Sequence, residues 1–511
     1  MTRLNYVLLF VAGLAVPALI SSFQPFPGYL DSDYYFAGGL RLAEGWGFTD
    51  SFLWNYLDDP LSLPHASHGY WMPLASILAA ASMQLTGRGD YAGARVLFLV
   101  VAGLVPALTA AVAYSFTARR DLAITSALLA TFSAFYAPFL PVTDNFGLFM
   151  VLGASFFLFA GQPRSAFWLG LVAGAMSLAR TDGVLWMLLV IVVVLARASS
   201  GEGKGALWSI CVASVGFLAI MLPWYLRNLD TWGAIVAPGG ARLLWLREYD
   251  EIFSYPASDL TPARMLADGW VPVLRDRWWA LGQNIQSAVA AQGAIVLSPL
   301  AVVGAIAWRR DLRVRTGVLG WALLFVGMTL AIPFAGARGG FFHASAAFQP
   351  LWWSLAPIGL DAAVDWARHR GWFTASANVL FRVVLVQVLL LLTAYAVWFR
   401  VFSLGWGEGE HLYPRVRDFL TGHQMKTTDV VVTRNPAGWY ITTGLSAVAI
   451  PYGGIDAVTA VSERYGARFL VLEELAAIGT LRPLYAGTAT DRAFEYLGDV
   501  DGARLYEILR R

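Results

Sequence analysis

The sequence predicts a polytopic α-helical membrane protein carrying a small α/β unit at its C-terminal end. Three observations carry that prediction. Of the 511 residues, 58% are hydrophobic and only 14% charged, against about 25% charged in an ordinary soluble domain. Apolar runs near the roughly 20 residues needed to cross hydrocarbon recur up to residue 401. Beyond residue 402 the pattern changes to short β-rich runs separated by a polar helical stretch. In lipid, only helices satisfy the backbone of such long apolar runs.

The positive-inside rule threads the chain. Basic short connections occur at Ala118–Asp121, Gln162–Arg164, Arg197–Lys204, Arg309–Arg315 and Arg368–Arg370. Placing all of them in the cytoplasm gives spans near 4–23, 93–117, 122–140, 145–161, 165–180, 183–197, 206–226, 287–308, 316–334, 344–365 and 374–401. That is about eleven helices, with the N-terminus inside and the C-terminus outside. Trp71–Thr86 is apolar but short, and counting it as a span would invert every later loop. It is expected to lie in the outer interface. The first run starts after Arg3 and no small-residue cleavage site follows it, so it reads as a retained helix rather than a signal peptide.

The expected organisation is therefore a transmembrane domain over 1–402, with outer loops 24–92 and 227–286, and an extracytoplasmic α/β domain over 403–511. Asp429–Thr433, Ala447–Pro451 and Arg468–Glu473 read as strands of a parallel sheet, and Ile455–Tyr465 as a helix between them. The single cysteine, Cys211, lies in an apolar run and permits no intrachain disulfide. A net charge of +2 gives no footprint for nucleic acid, and the partners expected are membrane lipids and what they carry.

This threading gathers ionisable residues on one membrane face. Asp31 and Asp33 stand just past the first span, in FPGYLDSDYY. Joined by Asp144 from the next outer connection, they form an oxygen-donor set for a divalent cation such as Mg or Mn. The competing reading is a general base, since burial beside a like charge raises a carboxylate pKa. Asp144 also reads as a helix N-cap next to Asn145. Arg180 ends a span in a turn too short to leave the interface, where a guanidinium grips a phosphate or snorkels to headgroups. Arg338 and His343 flank a glycine-rich turn, GARGG, and are phosphate or metal contacts by the same reasoning. His65 and His68, in LPHASHGYW, precede the interfacial helix. The 227–286 loop is rich in Trp, Tyr and Arg, which suits either an interfacial belt or a wall for a lipid-linked sugar.

In order along the chain, Asp31-Ser32-Asp33-Tyr34-Tyr35, Gly69-Tyr70-Trp71-Met72-Pro73-Leu74, Asp144, Arg180-Thr181-Asp182-Gly183 and the stretch His343–Pro357 form a pattern. It resembles the polytopic glycosyltransferases of the C superfamily, which include protein O-mannosyltransferases, aminoarabinose transferases of lipid A and oligosaccharyltransferase catalytic subunits. The resemblance covers roughly residues 1–400 and implies a sugar donor carried on a polyprenyl phosphate. It implies catalytic or metal-holding roles for Asp31, Asp33 and Asp144, donor-phosphate contacts from Arg180, Arg338 and His343, and substrate contacts from Tyr35, His65, His68, Tyr70 and Asp182. The expected activity is transfer of the sugar, with inversion, to a lipid, glycan or protein acceptor outside the cell membrane. A flippase for a lipid-linked intermediate is the alternative, but transporters place ionisable groups in mid-bilayer, and these spans hold few. A non-catalytic envelope scaffold would not need acids from two loops to converge.

Overall fold

The computed structural model describes residues 1–200, 205–374 and 376–509. Among the described residues, six helical runs are long and apolar enough to cross a membrane: Arg3–Ser21, Tyr91–Thr117, Thr181–Ser199, Ala206–Trp232, Leu312–Leu330 and Ala377–Gly422. Other expected spans take a different form. Phe146–Ala160 and Ala166–Ala179 are apolar but shorter. The 122–140 run splits into the helix Arg120–Thr131 and a 3-10 turn, Ala134–Phe139. The break sits at Ala134, whose left-handed backbone (φ 49) turns its N–H out of the ladder to donate to Thr393 Oγ1 at 2.9 Å. The 287–308 run is not one rod: Trp270–Gln292 and Leu297–Ala307 meet at 87°. The corner holds Ala294 and Ile295 at φ 42 and 62. The 344–365 run is replaced by a helix shifted toward the C-terminus, Gln349–His369.

The segment expected to lie in the interface forms the helix Leu74–Thr86, 13 residues long. That is about 20 Å of helix, short of the roughly 30 Å of hydrocarbon. It packs along the helix Leu30–Ala43, where Gly39 lets the two backbones close on each other: a Cβ there would come within 2.6 Å of Ala79 Cβ. The Leu30–Ala43 helix is reached through Gly28, at φ 88, where any Cβ would strike the Trp406 indole.

The C-terminal sheet is mixed rather than parallel. Val430–Thr433, Ala447–Ala449 and Ala467–Leu472 pair in parallel, as the βαβ pattern requires. The antiparallel hairpin Phe494–Val500 and Ala503–Ile508 extends one side. The other edge is completed by Phe52–Leu53 from the first outer loop, parallel to Ala447–Ala449. This strand addition covers an edge that would otherwise stay unpaired. It also ties the sheet to the loop that follows the acidic helix.

The membrane helices meet through small residues, as expected where lipid offers no hydrophobic drive to association. Gly170 faces Ala213 across the Ala166–Ala179 and Ala206–Trp232 helices, with its ideal Cβ position only 1.9 Å from the Ala213 carbonyl oxygen. Gly304 and Gly359 make the equivalent approach between Leu297–Ala307 and Gln349–His369. A Cβ at Gly282, by contrast, would have nothing within 4 Å among the described residues. Thermal unfolding in detergent therefore separates two chemically identical changes. Gly170→Ala lowers Tm by about 2–4 °C or more, while Gly282→Ala leaves it unchanged or raises it, since alanine gains up to about 1 kcal/mol of helix propensity. Equal Tm values for the two variants contradict this packing.

Candidate active site

The acidic helix Leu30–Ala43 brings Asp31 to face Asp144 and His343. One ligand atom from each of the three lies within 4.8 Å of the others. His343 Nε2 is 3.8 Å from Asp31 Oδ2, and His343 Nδ1 is 3.8 Å from Asp144 Oδ1. Asp144 is fully enclosed and held from two sides: the Tyr29 hydroxyl donates to its Oδ2 at 2.5 Å and the Asn145 N–H to its Oδ1 at 2.6 Å. It does not cap the following helix, whose N-cap residue, Asn145, makes no side-chain cap bond. Asn145 instead donates to the Tyr35 hydroxyl at 2.7 Å, so Tyr35 props up the loop bearing Asp144.

Electrostatics at this cluster follow from burial. The Asp31 carboxyl is pushed up to about 7, first by burial and then by repulsion from Asp144, with Arg180 opposing. Its side chain keeps 28% exposure, and water reaching that surface moderates the shift. Asp144 is pushed up to about 6 by burial, against the stabilising bonds from Tyr29 and Asn145 and the field of Arg180. The His343 pKa falls well below its ordinary value through burial and the nearby Arg180 charge, so its ring is neutral and free to donate a lone pair.

Two carboxylates and a neutral imidazole suit a borderline divalent ion such as Mn or Zn better than Mg, which prefers all-oxygen shells. The fit is supported by His343 Nδ1, buried with no hydrogen-bond partner among the described residues. Ligands at about 2.1 Å from an ion lie at most about 4.2 Å apart, so the 4.8 Å span needs only a small contraction.

The cluster opens into a cavity of about 520 Å³. Asp31, Tyr35, His68, Tyr70, Arg180, Asp182, Arg338 and His343 all line it, with Trp54, Trp71, Trp224 and Tyr249 as aromatic walls. Arg180 and Asp182 pair at 2.8 Å, so Asp182 orients the guanidinium and dilutes its charge. The Arg338 guanidinium lies 5.2 Å over the Tyr249 ring and has no carboxylate at ion-pair distance among the described residues. His68 is buried between Ser67 and Ser76, bonded at 2.7 and 3.0 Å, and burial pushes its pKa down to about 3. It is a fixed neutral wall rather than a proton carrier.

Two expected residues stand elsewhere. Asp33 is not in the cluster. One position after Ser32 on a helical turn, it points roughly 200° around the axis from Asp31, toward the C-terminal unit, where Asn435 Nδ2 donates to its Oδ2 at 2.6 Å. Burial and the neighbouring Glu410 hold its carboxyl well above the usual range. His65 bonds the Phe52 carbonyl at 3.0 Å beside the sheet edge and does not line the cavity. Sequence reasoning missed Tyr29, although it stands two residues before Asp31 in the same motif. It also missed Trp54, which carries no local signal, whereas Tyr249 comes from the aromatic 227–286 loop, whose composition suits a wall for a lipid-linked sugar.

No family model matches the sequence, and no curated protein matches it. Solved structures do match in fold. The Archaeoglobus fulgidus oligosaccharyltransferase, in a complex with Zn and sulfate, is 12% identical with a TM-score of 0.55, over 96% of this chain and 72% of that one. ArnT from Cupriavidus metallidurans in the apo state is 13% identical with a TM-score of 0.55, over 99% and 98% of the two chains. The same protein bound to undecaprenyl phosphate aligns with a TM-score of 0.51 at 13% identity and the same coverage.

Metal affinity should depend on pH with a defined sign. Both cluster carboxyls titrate above the ordinary carboxylate range, so the pair holds a proton at pH 6 that it has lost at pH 8. A divalent ion requires both as carboxylates. Calorimetry with Mn in buffers of different ionisation enthalpy should show release of about one proton at pH 6, little at pH 8, and tighter binding at the higher pH. Release that is independent of pH, or unchanged in Asp31→Asn, contradicts the assignment. The chain shares its overall fold with these oligosaccharyltransferase and ArnT structures.

Proposed function

We propose that the protein is a membrane glycosyltransferase that moves a sugar from a polyprenyl-phosphate donor to an acceptor hydroxyl or amide outside the cell membrane. The single observation that carries this reading is the cavity in which Asp31, backed by Asp144 and His343, faces Arg338 and Arg180 across aromatic walls. The sugar-phosphate bond needs a base on one side and a cation on the other. The fold supports the reading, since ArnT was solved bound to undecaprenyl phosphate. The basic connections gather at the other ends of the helices, which supports an extracytoplasmic site. Residues 1–402 would carry the chemistry, and 403–511 would pack over the acidic helix.

In this mechanism the acceptor atom attacks the anomeric carbon while the bond to the lipid phosphate breaks. The bonding pair leaves with the phosphate, and inversion follows from displacement on the opposite face. Asp31, the one cluster carboxylate that lines the cavity, takes the proton of the acceptor. With no ion bound, burial pushes its carboxyl up to about 7, which suits a base working near neutral pH, and an ion held by the cluster would lower that value and so weaken Asp31 as a base. Arg338 meets the charge growing on the departing phosphate, and Arg180, braced by Asp182, adds field from the side. Trp54, Trp71 and Tyr249 offer flat faces to the sugar. Asp31, Asp144 and His343 would hold a divalent ion such as Mn, Mg or Zn, which when bound supplies positive charge to the donor phosphate. Tyr29 and Asn145 keep Asp144 in place for it.

Purified protein assayed with polyprenyl-phosphate sugars and a panel of acceptors tests the proposal. Asp31→Asn should lower kcat by about 10²–10⁴-fold, the usual worth of a general base. Arg338→Ala should raise KM for the donor by about tenfold or more, as loss of a charged contact does. Asp33→Asn should leave far more activity than Asp31→Asn. An Asp33 variant as inactive as the Asp31 variant, or an Asp31 variant with wild-type turnover, overturns this division of roles.

A further inference from the structure

A second cavity lies along the same helix that borders the first, at its other end. The Leu312–Leu330 helix contributes Met328 to the carboxylate-bearing cavity and Arg315, Val318 and Leu319 to the second one. Arg315 and Met328 are separated by about 20 Å of helix. The second cavity is a crevice of about 900 Å³, formed where the 87° corner swings Leu297–Ala307 away from its predecessor. Val289, Ala301, Ala305 and Val318 give it apolar walls. Trp321, whose indole N–H donates to Gln292 Oε1 at 2.9 Å, is fixed in its lining.

Charge marks one mouth of this crevice. Arg309 and Arg315 both line it and both are exposed. The one acid of their loop, Asp311, is committed to Arg313 at 2.7 Å. Arg309 reaches only the Ile306 carbonyl, at 3.1 Å, and neither arginine pairs with a carboxylate among the described residues. An apolar slot inside the membrane zone, ending at two uncompensated guanidiniums, is complementary to one kind of molecule. Its acyl chain fills the slot and its phosphate sits between the arginines.

We infer that this crevice binds an anionic phospholipid from the leaflet opposite the carboxylate cluster. The crevice falls in the size range of about 300–1,000 Å³ typical of ligand sites. A zwitterionic lipid brings a choline or amine that the arginines repel, so headgroup charge is the selecting feature.

Native mass spectrometry and thermal unfolding of the full chain in detergent, with phosphatidylglycerol or phosphatidylcholine added, test this directly. Phosphatidylglycerol should be retained and raise Tm, and phosphatidylcholine should do neither. Arg309→Ala with Arg315→Ala should weaken phosphatidylglycerol binding by about 30-fold, the worth of two arginine contacts. Val318→Trp, which fills the slot and leaves both charges, should abolish retention. Equal effects of the two lipids, an undiminished response in the double variant, or displacement of phosphatidylglycerol by undecaprenyl phosphate would each overturn the inference. The last outcome would make the crevice a seat for the carrier chain instead.

Discussion

Two carboxylates face each other across a few ångströms, Asp144 fully enclosed and Asp31 open to water on one side, and the arrangement around them answers that repulsion. Asp31 and Asp144 come from connections more than a hundred residues apart and would separate if left to themselves. Tyr29 and the Asn145 N–H take up the lone pairs of Asp144. Arg180 adds positive potential, itself steadied by Asp182. His343, neutral in this field, offers a lone pair rather than a second positive charge. A pair of carboxyls balanced in this way is poised either to share a proton or to give it up to a cation. Both behaviours are useful where a sugar phosphate has to be split.

The acidic helix is held in position by the C-terminal unit as well as by the membrane helices. Gly28, at its entrance, donates its N–H to Glu410 at 2.7 Å, and Trp406 donates to the Phe26 carbonyl at 2.8 Å. Asn435, two residues past the Val430–Thr433 strand, donates to Asp33. Open parallel sheets usually offer the crevice beyond their strand ends to a ligand. Here the first outer helix of the same chain reaches that region, so the sheet braces the acids. Asp33 then serves as a structural pin on the back of the helix whose front bears Asp31.

Much of the fold was legible because hydrophobic length and loop charge are direct consequences of the bilayer. The three parallel strands and the short helix at residues 74–86 could be read from local pattern. Breaks inside apolar runs were harder. The step at Ala134 depends on a partner far away in sequence, Thr393, and the corner at Ala294 and Ile295 is made by two non-glycine residues at positive φ, which no turn signal marks. The last hairpin turns on Asp501 and Gly502, at φ 47 and 84, a dipeptide that signals such a turn. In the site, the residue types were visible but their directions were not. Asp31 and Asp33 stand one residue apart, and only the helical start at Leu30 sends them to opposite sides. An extended loop would have pointed both the same way. Glu410 and Asn435 lie some four hundred residues from the helix they hold, a distance no local pattern spans.

The central claim is that Asp31, Asp144 and His343 converge on one cation within reach of the donor phosphate. It is tested most directly by determining the structure of the protein soaked with Mn and collecting anomalous scattering at the metal edge. The account predicts a single strong peak about 2.0–2.3 Å from an oxygen of each aspartate and a nitrogen of His343, with Asp33 still bonded to Asn435. A peak held by Asp33 and Glu410, or none between Asp31 and Asp144, would contradict it.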